Sequence, residues 1–161
     1  MTGKRVVIIL EPDGSYKMCE VDVDQVLLVL ADVVDVSGPA APIETGHYNT
    51  PGSALGVVVA GDYAYLGARR DEFENGLYVI DVSDPSAPVE VGFYDTPGFA
   101  CGVSVSGGYA YVADWGAGLR VVDVSDPSAP TLVGAVGLPG TAHDVKIAGE
   151  HAFVSCEEGG F

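Results

Sequence analysis

Residues 108–134 read G-Y-A-Y-V-A-D-W-G-A-G-L-R-V-V-D-V-S-D-P-S-A-P-T-L-V-G, and this stretch decides the fold. Y-A-Y-V-A and L-R-V-V-D are short runs rich in β-branched and aromatic residues, the composition of strands. Turn chemistry separates them: D-W-G-A-G first, then S-D-P-S-A-P, where an Asp side chain accepts from nearby amides and two prolines interrupt the ladder. Residues 62–92 repeat the module as D-Y-A-Y-L-G-A, an insertion over 69–75, and G-L-Y-V-I-D-V-S-D-P-S-A-P-V-E-V-G. A repeat of roughly 40 to 45 residues with about four strands per unit is the sequence signature of propeller blades. The expected fold is all-β: a β-propeller-like array of four-stranded antiparallel blades, about three and a half per chain, with roughly twelve to fourteen strands and no helix beyond a turn or two.

The rest of the chain follows from this module. The second unit, 51–94, places strands at 55–60, 63–68, 77–83 and 89–94, with Gly61-Asp62 as a two-residue hairpin turn. The third, 97–136, places them at 101–106, 109–113, 119–125 and 131–136, and a half unit at 139–161 adds strands at 143–148 and 151–156. Residues 4–48 read as a degenerate first unit: a hairpin over 4–21 around Pro12-Asp13-Gly14, a third strand at 26–37 ending in V-V-D-V-S-G-P-A-A-P, and a fourth at 43–48. Pro88 and Pro130 cannot donate the amide hydrogen a central strand requires, so the fourth strand of each blade is the outer one. Tyr63/Tyr65, Tyr109/Tyr111 and His151/Phe153 stand at i and i+2 on one face of the second strand, where neighbouring blades pack, and are read as core.

Seven Lys and Arg against 23 Asp and Glu give a net charge of −16, which repels phosphate backbones and excludes nucleic acid as the expected partner. Cys19, Cys101 and Cys156 show no C-x-x-C spacing, so neither a disulfide framework nor a structural zinc site is indicated. The apolar run 6–10 behind Lys4-Arg5 is too short for a signal-peptide core, and no run approaches the length of a membrane span.

Residues 51–136 carry G-x-A-x-G-V-x-V-x-G-x-Y-A-Y-V-A-D and G-L-x-V-V-D-V-S-D-P-x-x-P in near-complete form, and at these residues the chain resembles the LVIVD-repeat family. The resemblance covers two units well, the last half unit moderately and the first poorly. It implies a β-propeller of the kind found in cell-surface or secreted proteins, with no single assigned activity and no catalytic set to carry over. The chain itself shows no export or anchoring signal.

Successive connections in an up-and-down blade alternate between two ends. One end collects the regular S-D-P-S-A-P turns; the other collects the P-G entry loops and the variable connections between second and third strands, which makes it the candidate functional face. There the expected binding rim comprises Arg69, Arg70, Asp114, Trp115, Glu157 and Glu158. Leu55, Cys101 and His143 occupy one equivalent position at the start of the innermost strand, so Cys101 and His143 come from adjacent blades. A thiolate and an imidazole converging near the axis, with Asp144 beside them, are ligand types for zinc or copper.

Two functions are compatible with this pattern. The first is a non-catalytic binding or scaffold module, without a cofactor, presenting its rim to a protein or glycan. The alternative is a metal-dependent enzyme or metal-binding protein using one copper or zinc ion at the channel mouth through His143 and Cys101. No Ser-His-Asp spacing, nucleotide-binding glycine loop or H-E-x-x-H motif supports a catalytic assignment. Three and a half blades leave a blade face open, so a homodimer that completes one ring is expected.

Overall fold

Proline and aspartate fix where each strand stops, and the strands between them pair as the repeat predicts. The computed structural model describes residues 3–10, 16–23, 30–38, 40–69 and 75–157, with side-chain surroundings for 31–38, 40–69 and 75–157. The Pro12-Asp13-Gly14 turn, most of the 69–75 insertion, Arg70 and Glu158 lie outside the described residues. Fourteen strands and no helix make up the described secondary structure.

The second blade holds β5 (Ser53–Ala60), β6 (Tyr63–Arg69), β7 (Gly76–Asp81) and β8 (Val89–Asp95) in chain order, every pair antiparallel. The third repeats this with β9 (Gly102–Ser106), β10 (Tyr109–Ala113), β11 (Leu119–Asp123) and β12 (Thr131–Val136). β13 (Thr141–Ala148) and β14 (His151–Glu157) form a two-stranded sheet. The innermost strands β5, β9 and β13 are neighbours across the blades. At Gly61 and Gly107 the backbone turns through φ of 61° and 60°, the left-handed region that a two-residue hairpin loop demands.

The first sheet departs from expectation. β1 (Gly3–Leu10), β2 (Tyr16–Val23), β3 (Leu30–Asp35) and β4 (Ile43–Asn49) are ordered β2-β1-β3-β4, with β1 parallel to β3 from Val6↔Ala31 to Leu10↔Asp35. A simple antiparallel blade would place β2 beside β3. Composition accounts for the swap: the unbroken apolar run V-V-I-I-L suits an interior strand, whereas Y-K-M-C-E-V-D-V carries polar residues along its length and suits an edge.

Both faces of the second blade are covered, because side chains alternate along each strand. Tyr65, Leu77 and Val79 face the third blade and pack with Val103, Ala110, Val112 and Val122. Ala64, Leu66, Tyr78 and Ile80 face the other way and pack with Ala31 and Ala54. A smaller cluster of Ala113, Leu119, Ala142 and Val145 joins the third blade to the half unit.

The S-D-P-S-A-P turns lock neighbouring blades at the outer strand. Asp84 Oδ1 accepts from the Ser86 amide at 2.9 Å and its hydroxyl at 2.6 Å, and Asp126 treats Ser128 alike at 3.0 and 2.7 Å. Each stiffened turn seats on a glycine of the preceding blade. A Cβ at Gly46 would overlap the Pro85 carbonyl oxygen, and one at Gly92 would overlap that of Pro127. The equivalent Gly134 meets only Val121 of its own blade among the described residues.

The same gradient governs the aromatic pairs read as core. Tyr65, covered by a full blade, is 4% exposed; Tyr111, covered by two strands, is half-buried; Phe153, on the last strand, is 64% exposed. The alternation is right for all three, but burial also needs a neighbour, and the last pair has none among the described residues.

Candidate functional site

The P-G entry motif recurs as Pro51-Gly52-Ser53-Ala54-Leu55, Pro97-Gly98-Phe99-Ala100-Cys101 and Pro139-Gly140-Thr141-Ala142-His143. Its fixed alanines are buried. Its last residue sits at an irregularity of the ladder: the register shifts between Ala54 and Gly56 and between Ala142 and Asp144, leaving Leu55 and His143 as the extra residues. Cys101 does the same work just before β9, donating its amide to the Ala113 carbonyl at 2.8 Å. A bulge re-aims a side chain out of strand alternation. Here it turns Leu55, Cys101 and His143 into shared space, where they line one cavity of about 290 Å³ with Arg69, Phe99 and Trp115. A second cavity of about 260 Å³, reached past the same three residues, runs along the innermost strands to Asp144 and Lys146.

The side chains around the first cavity form a continuous line. The Arg69 guanidinium lies 4.3 Å above the Phe99 ring, Phe99 and Trp115 stand 6.0 Å apart, and Trp115 meets His143 edge-on at 4.9 Å. His143 Nε2 then lies 3.3 Å from Glu157 Oε2 and 3.2 Å from Thr141 Oγ1. Arg69, Trp115 and Glu157 hold one equivalent position, six residues after the first aromatic of each second strand (Tyr63, Tyr109, His151).

Trp115 is held by its backbone. Its φ is 46°, uncommon for a residue with a side chain. The turn that imposes it is closed by Ala117 donating to the Asp114 carbonyl and Asp114 donating to that of Gly118, both at 2.8 Å, while the Ala142 amide donates to the Trp115 carbonyl at 3.0 Å. The ring stays 37% exposed.

Asp114 is not a rim residue. It is 0% exposed. Its Oδ2 accepts from the Gly98 amide at 3.2 Å and Arg120 Nε at 3.4 Å, which ties the entry loop to β11. Burial raises its pKa, and the Thr96 hydroxyl, the Gly98 amide and Arg120 act against that rise.

Of the remaining expected site residues, Arg69, Trp115, Cys101 and His143 come together in the cavity, and Glu157 joins through His143. Phe99 is an addition. Its signal was present in the variable third place of P-G-x-A-x, filled by Ser53 and Thr141 in the other units. The metal expectation finds a thin donor set: among the described residues no group of three or more His, Cys, Asp or Glu could hold an ion. The Cys101 thiol is pushed up by burial and by the Asp114 carboxylate, against the pull of Arg69, which disfavours the thiolate a metal or a nucleophilic role requires.

The sequence pattern of the LVIVD repeat matches residues 30–50, 51–96, 97–137 and 139–161. The chain belongs to the LVIVD-repeat family. The first LVIVD match begins at the start of β3 and leaves out β1 and β2, the two strands whose order departs from a regular blade. The last covers only the strands that a blade places innermost, so this chain holds two complete LVIVD units and two partial ones of opposite halves. No curated protein matches the sequence. No helix among the described residues is long and apolar enough to cross a membrane.

Proposed function

We propose that this chain is a non-catalytic binding module whose cavity at the P-G end receives a group from a protein or glycan partner. One observation carries the reading. The repeat fixes Pro, Gly and Ala in its entry motif and leaves two places free, and free places from three units converge on a single cavity together with Arg69 and Trp115. Scaffold positions are constant and cavity positions vary, which is how a rigid fold carries specificity. The protonated state favoured for Cys101 supports binding over catalysis.

The chain has one tryptophan, and it stands in the cavity wall. Its indole N–H therefore gives a single resonance that reports occupancy. A mixed set of sugars, short peptides, acids and amines is screened against that resonance. A saturable shift whose ligand no longer binds Trp115→Ala, read on the ligand's own resonances, supports the module; silence across the whole set refutes it.

A second copy is the partner we propose for the open blade face. Among the described residues no turn seats on Gly134 as one does on Gly46 and Gly92, its strand neighbours Leu132 and Val133 are exposed, and Phe153 of β14 is exposed as well. Residues 30–50 match the two outer strands of the repeat and 139–161 the two inner ones, and because β1 occupies the inner edge of β3, the joint requires β1 and β2 to leave that edge to the partner's β14. Burying these side chains contributes about 1.5–3 kcal/mol each. Two chains joined this way complete one ring. Light scattering coupled to size exclusion tests it: a dimer is expected at micromolar concentration, and a stable monomer there rules it out.

A further inference from the structure

The cavity has a chemical bias that narrows its ligand class, and that narrowing rests on the binding function proposed above. Arg69 stacks its guanidinium face on Phe99, and stacking consumes the flat face while leaving the N–H donors around the edge. The other two basic side chains whose surroundings are described are already matched, Arg120 to Asp114 at 3.4 Å and Lys146 to Asp144 at 3.2 Å. Among the described residues no carboxylate ion-pairs with Arg69. Arg69 therefore differs from Arg120 and Lys146, each of which has a described carboxylate against it, and it is the cation that lines this cavity.

The remaining walls are apolar and in part flat. Trp115 and Leu55 face the space, and His143 closes one side with its Nε2 already engaged by Thr141 and Glu157. A volume of about 290 Å³ is at the small end for ligand sites, enough for one ring and a short polar group. A cationic ligand would meet Arg69. A neutral sugar would satisfy the aromatic wall but leave the guanidinium edge without a counter-charge.

We propose that this cavity binds a planar carboxylate, with the acid group bridging the edge donors of Arg69 in a bidentate pair and the flat body against Trp115 and Leu55. The net charge of −16 does not oppose this strongly, because exposed charges beyond about 8 Å are screened at physiological ionic strength and a direct pair is not. The same chemistry is offered by a free aromatic acid and by the C-terminal residue of a peptide ending in an aromatic.

The Trp115 indole resonance is followed during titration with benzoate, with benzamide, and with N-acetylphenylalanine in its free-acid and amide forms. Benzoate is expected to bind with a Kd on the order of 1 mM, as befits so small a ligand, and benzamide at least about ten-fold more weakly. Tighter binding of N-acetylphenylalanine than of benzoate, lost in its amide, assigns the source to a peptide terminus; the reverse assigns it to a free acid. Arg69→Gln is expected to erase the preference for acid over amide while far-UV circular dichroism is unchanged. Equal affinity for benzoate and benzamide, or an acid preference that survives Arg69→Gln, overturns the assignment. So does the absence of any saturable shift by the acids at about ten times that concentration. A sugar or amine that moves the indole where the acids do not leaves the module standing and removes the carboxylate; silence from every probe removes both.

Discussion

Gly92 and Gly134 hold equivalent places in successive blades, and substituting each by alanine separates backbone propensity from inter-blade packing. At Gly92 a Cβ would overlap the Pro127 carbonyl oxygen and lie 3.1 Å from Pro130 Cδ. Neither obstacle is the tip of a flexible chain: one is backbone, the other part of a ring, in a turn braced by Asp126 and Ser128. The turn must withdraw as a unit by roughly 1 Å, a gap that forfeits up to about half of the dispersion contact along the seat. Overpacking of this kind costs about 1–3 kcal/mol, and with the lost contact we expect about 2–4 kcal/mol for Gly92→Ala. At Gly134 the nearest neighbour outside the adjoining residues is the Val121 side chain at 3.9 Å, an ordinary contact. Gly134→Ala should therefore change the stability of one chain by no more than about 0.5 kcal/mol, or stabilise it slightly by restricting the unfolded state. Urea unfolding with shared m-values reads both numbers. The seat is refuted as a packing constraint if Gly92→Ala unfolds within about 0.5 kcal/mol of the parent, by the standard of an ordinary surface change, or if Gly134→Ala costs as much as Gly92→Ala in the dissociated chain. If a partner's turn occupies the third seat, Gly134→Ala instead weakens association, visible as a concentration dependence that the parent lacks.

Trp115→Ala should leave the chain folded, and Trp115→Gly should be the more stable of the two by about 1 kcal/mol, since glycine relieves the positive φ that alanine retains; equal midpoints would show that the turn carries no strain. Arg120→Met removes the charged partner that the described residues give a buried carboxylate and should cost about 3 kcal/mol, read by urea unfolding at neutral pH; a loss below about 1 kcal/mol would mean that Thr96 and Gly98 suffice. Asp81, Asp84, Asp123 and Asp126 are held below the usual carboxylate range, in each case chiefly by a serine hydroxyl and then by its amide. Depressed folded-state values mean that their stabilisation is present above about pH 4 and is lost as pH falls through them; Asp84→Asn and Asp126→Asn should flatten the acid limb of the stability curve, and an unchanged limb would remove these turns as its cause.

Much of the architecture was legible because the repeat states it four times. The succession of four strands per unit, the hairpin at Gly61-Asp62 and the outer position of the Pro88 and Pro130 strands all follow from local chemistry. The first sheet was not legible, because choosing β1 over β2 as the neighbour of β3 is a competition between non-local pairings. Asp114 was misplaced because a carboxylate beside Trp-Gly reads as a loop. Its equivalents are Ala68 and Cys156, and an Asp at a position otherwise held by small residues, one of them buried, is a sign of burial. The convergence of Leu55, Cys101 and His143 was readable from alignment alone, whereas the stacking that links Arg69 to His143 through Phe99 and Trp115 depends on side-chain directions that spacing does not give.

The cavity draws its walls from three repeats: Leu55 and Arg69 from one, Phe99, Cys101 and Trp115 from the next, His143 from the last. In an array where each unit touches only its neighbours, stability propagates as in a one-dimensional chain of coupled elements, and the unit with the fewest packed neighbours opens most readily. Among the described residues that unit is the two-stranded sheet of β13 and β14. A ligand in the cavity bridges two successive couplings at once, so its binding free energy acts as added cohesion between units and its largest effect falls on the element with the fewest neighbours. Amide hydrogen exchange in β13 and β14 thus becomes a remote gauge of an event at the mouth, and recognition and cohesion of the array are two readings of one quantity.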